Sequence, residues 1–379
     1  MKIALIHDWL RVNAGSEKVI KEIIALFKDE DLELFTLFNK LSIIDKKEII
    51  GNTKTHFTWL QHLPYIERIY PFMLPILPMF IRFVKPENVD FYISSSHAVA
   101  KGFRKKKGLM HICYCHTPMR YIWFLNKDYL NDTSFIKKLV LKFVIPFIRN
   151  WDIKTTRSVT HFIANSKHIQ TQIKEIYNRD SIVIYPPVQT EKFVLNENPR
   201  KDFYLAVGRF VSHKKIDVVI KSFIKMKDKK LVLIGNGQDA NQIKKLIQDS
   251  PNIVWLGYQH DDELILYMQN AKACIFAAKE DFGIMCVEAQ ATGTPVVALN
   301  YGGYQESVID GVTGYFFNEQ TEDSIIQAVE KFEKKPLTNF KEIRENSLRF
   351  SVQHFHEAFK TFTETSLKTY QPSHDENIY

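Results

Sequence analysis

From Ala273 to Gly303 the chain reads ACIFAAKEDFGIMCVEAQATGTPVVALNYGG. Ala273–Ala277 is a short apolar run of strand type. A turn at Gly283 follows, then a helical stretch ending near Gly293, and Pro295–Ala298 is a second apolar run. A strand, loop, helix and strand in that order make a parallel βαβ unit, with the loop at the carboxyl end of the first strand. Gly283 lets another group approach the backbone closely. The free amides at the start of the helix then face a strand-end crevice, which suits phosphate. Glu280 precedes that helix and Glu288 lies inside it, so two carboxylates reach one ligand from two sides. A carboxylate accepts two hydrogen bonds, a match for the vicinal diol of a sugar. An ordinary strand–loop–helix with one capping acid and one surface acid would carry the same pair.

The alternation extends in both directions. Ile3–Ile6, Phe91–Ser94, Met110–Tyr114, Phe162–Ala164 and Ile182–Tyr185 read as strands in the first half. Phe203–Val207, Leu231–Ile234 and Ile253–Leu256 join Ala273–Ala277 and Pro295–Ala298 in the second. Ser16–Phe27 predicts a helix with Val19, Ile20, Ile23, Ile24 and Phe27 on one face, and Ser166 is an N-cap for another. Phe340–Tyr370 is helical in pattern. The Pro186-Pro187 pair and the polar run Asn196–Lys201 mark a linker. The expected organisation is a first α/β domain over 1–195 and a second over 196–350. A C-terminal helix and polar tail over 351–379 is expected to cross back to the first. Two doubly wound sheets would bind ligands at their carboxyl strand ends, across a cleft.

The 379 residues suit two domains, and 45% hydrophobic with 25% charged residues describe a folded globular chain rather than a disordered one. The net charge of +8 fits either an anionic partner or plain solubility. Cys113, Cys115, Cys274 and Cys286 form no CxxC pair and sit in apolar runs, so buried reduced thiols are expected, in a reducing compartment. No signal peptide pattern and no apolar run long enough to span a bilayer is seen.

Taken whole, EDFGIMCVEAQATGTPVVALNYGG (280–303) resembles the donor-binding signature of glycosyltransferase family four, whose members are retaining enzymes of the GT-B fold. The resemblance implies a nucleotide-sugar donor. It implies that Glu288 contacts the nucleotide ribose, that Glu280 contacts the transferred sugar, and that Phe282, Gly283, Ile284 and Met285 present backbone amides to sugar hydroxyls and diphosphate. Cys286 stands where such enzymes commonly have proline or a small residue. Gly208-Arg209-Phe210 follows a strand, and Lys214 comes shortly after. Two cations past a strand end suit a diphosphate leaving group, although most such pairs are solvated loops. Lys215 is the rival of Lys214, and the family's spacing favours Lys214.

The first half adds Asn13-Ala14-Gly15-Ser16-Glu17, a partial match to the family's glycine-rich loop, with Gly15 expected at the donor. His116 follows a strand in the run HTPMRY. That run is similar to an O-antigen mannosyltransferase-like subgroup, and a histidine there contacts the sugar in the wider family. A lone histidine is otherwise most often structural. By the same resemblance Tyr258 lies near the base. Gly235-Asn236-Gly237 is a GxG after a strand without the rest of a dinucleotide fingerprint, and reads as a turn near the nucleotide. Asp29-Glu30-Asp31 spells a DxD but sits in a charged surface turn, so no metal is expected.

Three features of the first half bear on the acceptor. Ile69–Val84 reads IYPFMLPILPMFIRFV, either a buried core segment or a lipid-touching one. Arg104–Lys107 is a basic run, and Phe135–Arg149 is amphipathic with lysines, compatible with an anionic membrane surface. Together with the resemblance these predict a retaining, metal-independent transfer of a hexose, mannose from GDP-mannose, to a lipid-linked glycan of lipopolysaccharide, O-antigen or capsule type. The place would be the inner face of the cytoplasmic membrane. A UDP-hexose donor and, more remotely, a nucleotide-sugar epimerase are the alternatives. Nucleic acid is not expected, because the basic runs flank apolar stretches rather than interleaved aromatics.

Overall fold

The computed structural model describes residues 1–124 and 135–372, and side chains from 144 onward in the helix that opens at Phe135. The chain forms two compact units, Met1–Tyr185 with Phe355–Tyr379, and Pro186–His354. The second unit starts at the Pro186-Pro187 pair rather than at 196. Residues 186–195 are tied to it: the Val188 N–H donates to the Phe350 carbonyl at 2.9 Å, and the Arg344 guanidinium donates to the Phe193 carbonyl at 2.7 Å.

In the first unit, β1 (Lys2–His7), β2 (Asp31–Thr36), β3 (Thr55–Phe57), β4 (Phe91–Ser96), β5 (Met110–Cys115), β6 (His161–Ala164) and β7 (Ser181–Val183) build one sheet in the order β3-β2-β1-β4-β5-β6-β7. All its pairings are parallel. Strands buried on both faces read as unbroken apolar runs, as Ile3–Ile6 does. The helix Gly15–Leu26 buries Val19, Ile20 and Ile23 against this sheet. From Phe355 on, the helix Val352–Thr369 packs Phe355 and Phe359 into the same core beside Phe27 and Tyr114. All four cysteines are buried free thiols, and burial pushes Cys113 and Cys286 up to about 12.

The second unit holds β8 (Tyr204–Val207), β9 (Leu231–Ile234), β10 (Ile253–Trp255), β11 (Ala273–Phe276), β12 (Val296–Leu299) and β13 (Gly314–Phe317) in the order β10-β9-β8-β11-β12-β13, again all parallel. Strands β2, β3 and β13 were not anticipated. β2 carries two acids in six residues, and β3 and β13 are edge strands of three and four residues, too short for a periodic signal. The stretch expected as one helical region is two helices, Phe340–Leu348 and Val352–Thr369, and the Ser351 hydroxyl accepts the His354 N–H at 3.3 Å at the second start.

Two fully buried histidines make stability depend on pH. His7 closes β1, and burial lowers it to about 4. His111 lies in β5 between the Ser94 hydroxyl (2.8 Å) and the Ser158 carbonyl (3.1 Å), and burial lowers it to about 3. Both folded values lie below the unfolded one, so their contribution is complete above about pH 6.5 and is lost as pH falls toward 4. Each should remove about 2 kcal/mol at pH 5. The buried Glu17, whose carboxyl is raised by burial, offsets part of this. Urea unfolding at pH 7 and pH 5 should show the loss, and His111→Gln should reduce it by about half; equal stability at both values would contradict the assignment.

Candidate functional site

In an open parallel sheet the ligand crevice lies outside the carboxyl ends of the strands where the order reverses. In the second unit these are β8 and β11. Gly208-Arg209-Phe210 leaves β8 with Arg209 exposed and Phe210 buried. The segment Gly235-Asn236-Gly237 leaves β9 and braces this loop: the Phe210 N–H donates to the Asn236 carbonyl at 2.9 Å. Gly235 has φ +140°, and a Cβ there would sit 1.9 Å from the Gly208 carbonyl oxygen, so no side chain fits. The Gly235 N–H in turn donates to the Gly257 carbonyl at 2.8 Å, which carries Tyr258, 69% exposed, to the same edge.

Lys214 ends the short 3-10 turn Ser212–Lys214, and Lys215 adopts the left-handed conformation (φ +55°) that starts the helix Ile216–Lys225. The Lys214 ammonium forms an ion pair with the Glu280 carboxylate, both side chains roughly a quarter exposed. The loops after β8 and β11 thus meet at opposite charges.

The loop after β11 is held from beneath. Glu280 accepts the Gly303 N–H on its carbonyl at 3.1 Å, and the buried Phe282 ring meets Phe350 edge-on at 5.3 Å. Gly283, at φ +87°, starts the helix Ile284–Ala291 with no side-chain cap, and a Cβ on it would lie 2.4 Å from the Tyr304 ring. The first amides of a helix have no intrahelical acceptor. Those of Ile284 and Met285, both partly buried, therefore stand at the crevice beside Glu280. Glu288 is buried, 3% exposed, one helical stretch further in. Cys286 points into the core, its sulfur 4.0 Å from the Ser307 hydroxyl, so the missing proline changes nothing at the crevice.

The first unit has its own reversal point, between β1 and β4. Asp8, just past β1, is fully buried and accepts four backbone N–H groups, from His97 (2.7 Å), Ala98 (3.0 Å), Val99 (2.5 Å) and Ala100 (2.6 Å). It fixes the turn that brings His97 between His7 and His116, with ring centroids 5.7 and 6.3 Å away. His116 follows β5 and its Nε2 lies 2.7 Å from the Ser95 hydroxyl. Burial holds His116 well below the usual imidazole value, and His97 and His7 push the same way, so it is neutral at pH 7. Gly15 opens the helix after β1, and Ser16 donates to the buried Glu17 carboxylate at 2.7 Å. The Asp29–Asp31 turn lies at the opposite, amino end of this sheet, where Glu30 pairs with the N-terminal ammonium.

Two family models cover most of the chain. Residues 15–192 match the one described as Glycosyltransferase Family 4, and 187–349 match Glycosyl transferases group 1. The chain is a glycosyltransferase. Its relatives include an uncharacterized glycosyltransferase of Methanocaldococcus jannaschii, 28% identical over 69% of this chain and 75% of the relative. The alpha-1,3/1,6-mannosyltransferase of Mus musculus is 24% identical over 69% and 68%. The crystal structure of Anabaena HepE in complex with UDP superposes with a TM-score of 0.69 over 96% of this chain and 100% of that one, at 16% identity, a likeness of GT-B fold.

Within each half of this glycosyltransferase the expected residues gather at the carboxyl edge of the sheet. Arg209, Lys214, Glu280 and the amides past Gly283 do so in one, Gly15 and His116 in the other. Sequence reasoning missed Asp8 and His97. Their signal was an acid directly after β1 and the run Ser94-Ser95-Ser96-His97 at the end of β4. Asp8→Asn keeps the shape but turns an amide donor toward backbone donors, leaving about two of them unsatisfied. It should cost about 3 kcal/mol in urea unfolding; a loss under about 1 kcal/mol would contradict this role.

Proposed function

We propose that this glycosyltransferase moves a hexose, mannose from GDP-mannose, to a lipid-linked glycan with retention of configuration and without a metal ion. The observation that carries the donor half of this reading is the Lys214–Glu280 pair beside the uncapped amides after Gly283. In this reading Arg209 and Lys214 bind the diphosphate. Glu280 accepts from hydroxyls of the transferred sugar, and Glu288 serves the ribose side. As the glycosidic C–O bond breaks, negative charge grows on the leaving phosphate oxygen. In this reading the fork of Arg209, the ammonium of Lys214 and the helix amides stabilise that charge. The acceptor hydroxyl attacks the same face of the sugar, and the leaving phosphate takes its proton. With two cations at the diphosphate, charge neutralisation needs no divalent ion.

Mannose is favoured by the resemblance of HTPMRY to mannosyltransferase-like sequences and by the mannosyltransferase among the relatives. A lipid-linked acceptor and a place at the inner face of the cytoplasmic membrane follow from the apolar and basic stretches of the first unit. No described helix is long and apolar enough to cross a membrane, so the association would be peripheral.

A donor panel tests the reading. GDP-mannose should be turned over, by hydrolysis or transfer, well above UDP-hexoses, and unchanged in EDTA. Glu280→Ala and Arg209→Ala should each lower kcat about 100-fold with the unfolding midpoint retained. Turnover of UDP-hexoses alone would replace the sugar assignment. Near-normal rates in both variants would remove the site assignment.

A further inference from the structure

The segment from Tyr65 to Phe83 uses apolar side chains on two sides. It forms the helices Ile66–Met73 and Leu77–Ile81. Inward, Ile66, Leu77, Phe80 and Ile81 are buried in the core of the first unit. Outward, Tyr65, Ile69, Phe72, Ile76, Met79 and Phe83 are all exposed, Phe72 to 78% and Phe83 to 61%. Ile69 and Phe72 lie on the first helix, Ile76 and Met79 at the start of and within the second, and Tyr65 and Phe83 at the two ends of the segment. A surface helix of a water-exposed domain carries polar residues on its outer side, whereas these two short helices leave a stripe of large apolar side chains exposed there. The stripe continues into a recess of about 300 Å³ lined by Phe35, Phe57, Trp59 and Phe83, with Trp59 itself 52% exposed.

The charge around the stripe is positive. The Arg104 N–H donates to the Val84 carbonyl at 3.1 Å. The Lys106 N–H donates to the Tyr92 hydroxyl at 3.1 Å, and that hydroxyl donates to the Pro86 carbonyl at 3.4 Å. These bonds hold the basic run Arg104–Lys107 alongside the end of the stripe. Arg104, Lys106 and Lys107 are exposed, as are Arg68, Arg82 and Lys85, against Glu67, Glu87 and Asp90 in the same stretch.

We propose that this face docks on an anionic lipid bilayer, with the stripe and Trp59 entering the headgroup–acyl boundary and the basic run at the headgroups. Apolar side chains alone would fit a partner protein equally well; the cations fixed at the stripe's edge select an anionic surface. The proposal deepens the lipid-linked acceptor reading and names the surface that brings the first unit to its acceptor. Donor chemistry in the second unit does not depend on it.

The test is co-sedimentation of the full chain with phosphatidylcholine vesicles and with vesicles that also contain phosphatidylglycerol. Wild type should bind the anionic vesicles, and binding should fall with added salt. The exposed pair Phe72→Glu with Phe83→Glu should weaken it at least about 30-fold, since each change removes buried apolar area and adds a repelled charge. Arg104→Ala with Lys106→Ala should weaken it about 30-fold, at roughly 1 kcal/mol per cation. Donor hydrolysis in vesicle-free solution should stay at the wild-type rate in both variants. Unchanged binding in the phenylalanine pair, or equal binding to both vesicle types, would overturn the proposal. So would a wild-type dimer that the phenylalanine pair splits with no vesicle binding at all, which would make this face a contact between copies. Vesicle binding without any nucleotide-sugar turnover would remove the functional reading and leave the docking surface standing.

Discussion

The ion pair between Lys214 and Glu280 is the contact on which the proposed donor site of this glycosyltransferase depends. It joins the loops that follow β8 and β11, the two strands at which the order of the second sheet reverses. Reversal splits the helices to either side and leaves the strand ends uncovered, so loops there have a crevice but little packing to hold them. Opposite charges join the two loops at their outer ends. The supports beneath are the Gly235 turn under Arg209, the Gly303 N–H on the Glu280 carbonyl, and the buried Phe282 ring against Phe350. A ligand with a diphosphate and a polyol meets, in this pair, a cation and an acceptor held ready at one edge.

The first unit solves the same problem with a buried carboxylate. Asp8 gathers four N–H groups that would otherwise be orphaned, and so fixes the path of the chain after β4. Three imidazoles then share one edge in a largely water-poor setting, where burial and mutual repulsion keep His7 and His116 uncharged. A neutral imidazole both donates and accepts, as recognition of a hydroxyl requires. Deeper in the same unit the Lys101 ammonium pairs with Asp152 away from water, and Trp123 and Tyr177 donate to the same carboxylate at 2.8 Å. That network fixes one arrangement of the buried interior of the first unit.

Much of this was legible in the sequence because each key residue sits at a strand end. Ala273–Phe276 and Tyr204–Val207 are unbroken apolar runs, so the positions of Glu280 and Arg209 follow from counting past them. Short or acidic strands defeat the same reasoning: the edge strand Thr55–Phe57 is three residues long, and Asp31–Thr36 carries two acids that interrupt its apolar pattern. Asp8 escaped notice for a different reason. A carboxylate after a strand reads as a solvent-facing turn residue, and its four partners lie about ninety positions away, close only after the sheet has formed. For Ile69–Val84 the sequence left a buried and a lipid-touching reading open, because a helical stretch that is apolar on two faces has the same composition as a buried one. Only the exposure in the folded structure separates the two.

The central claim is that the loop from Glu280 and the first amides after Gly283 receive the donor's diphosphate and sugar. Amide hydrogen exchange of the full chain with and without GDP-mannose measures this directly, since bound acceptors slow exchange at the amides they occupy. Protection of 282–286 and of 208–214, absent with free mannose, is the predicted result. Unchanged exchange in both segments at saturating donor would contradict the account.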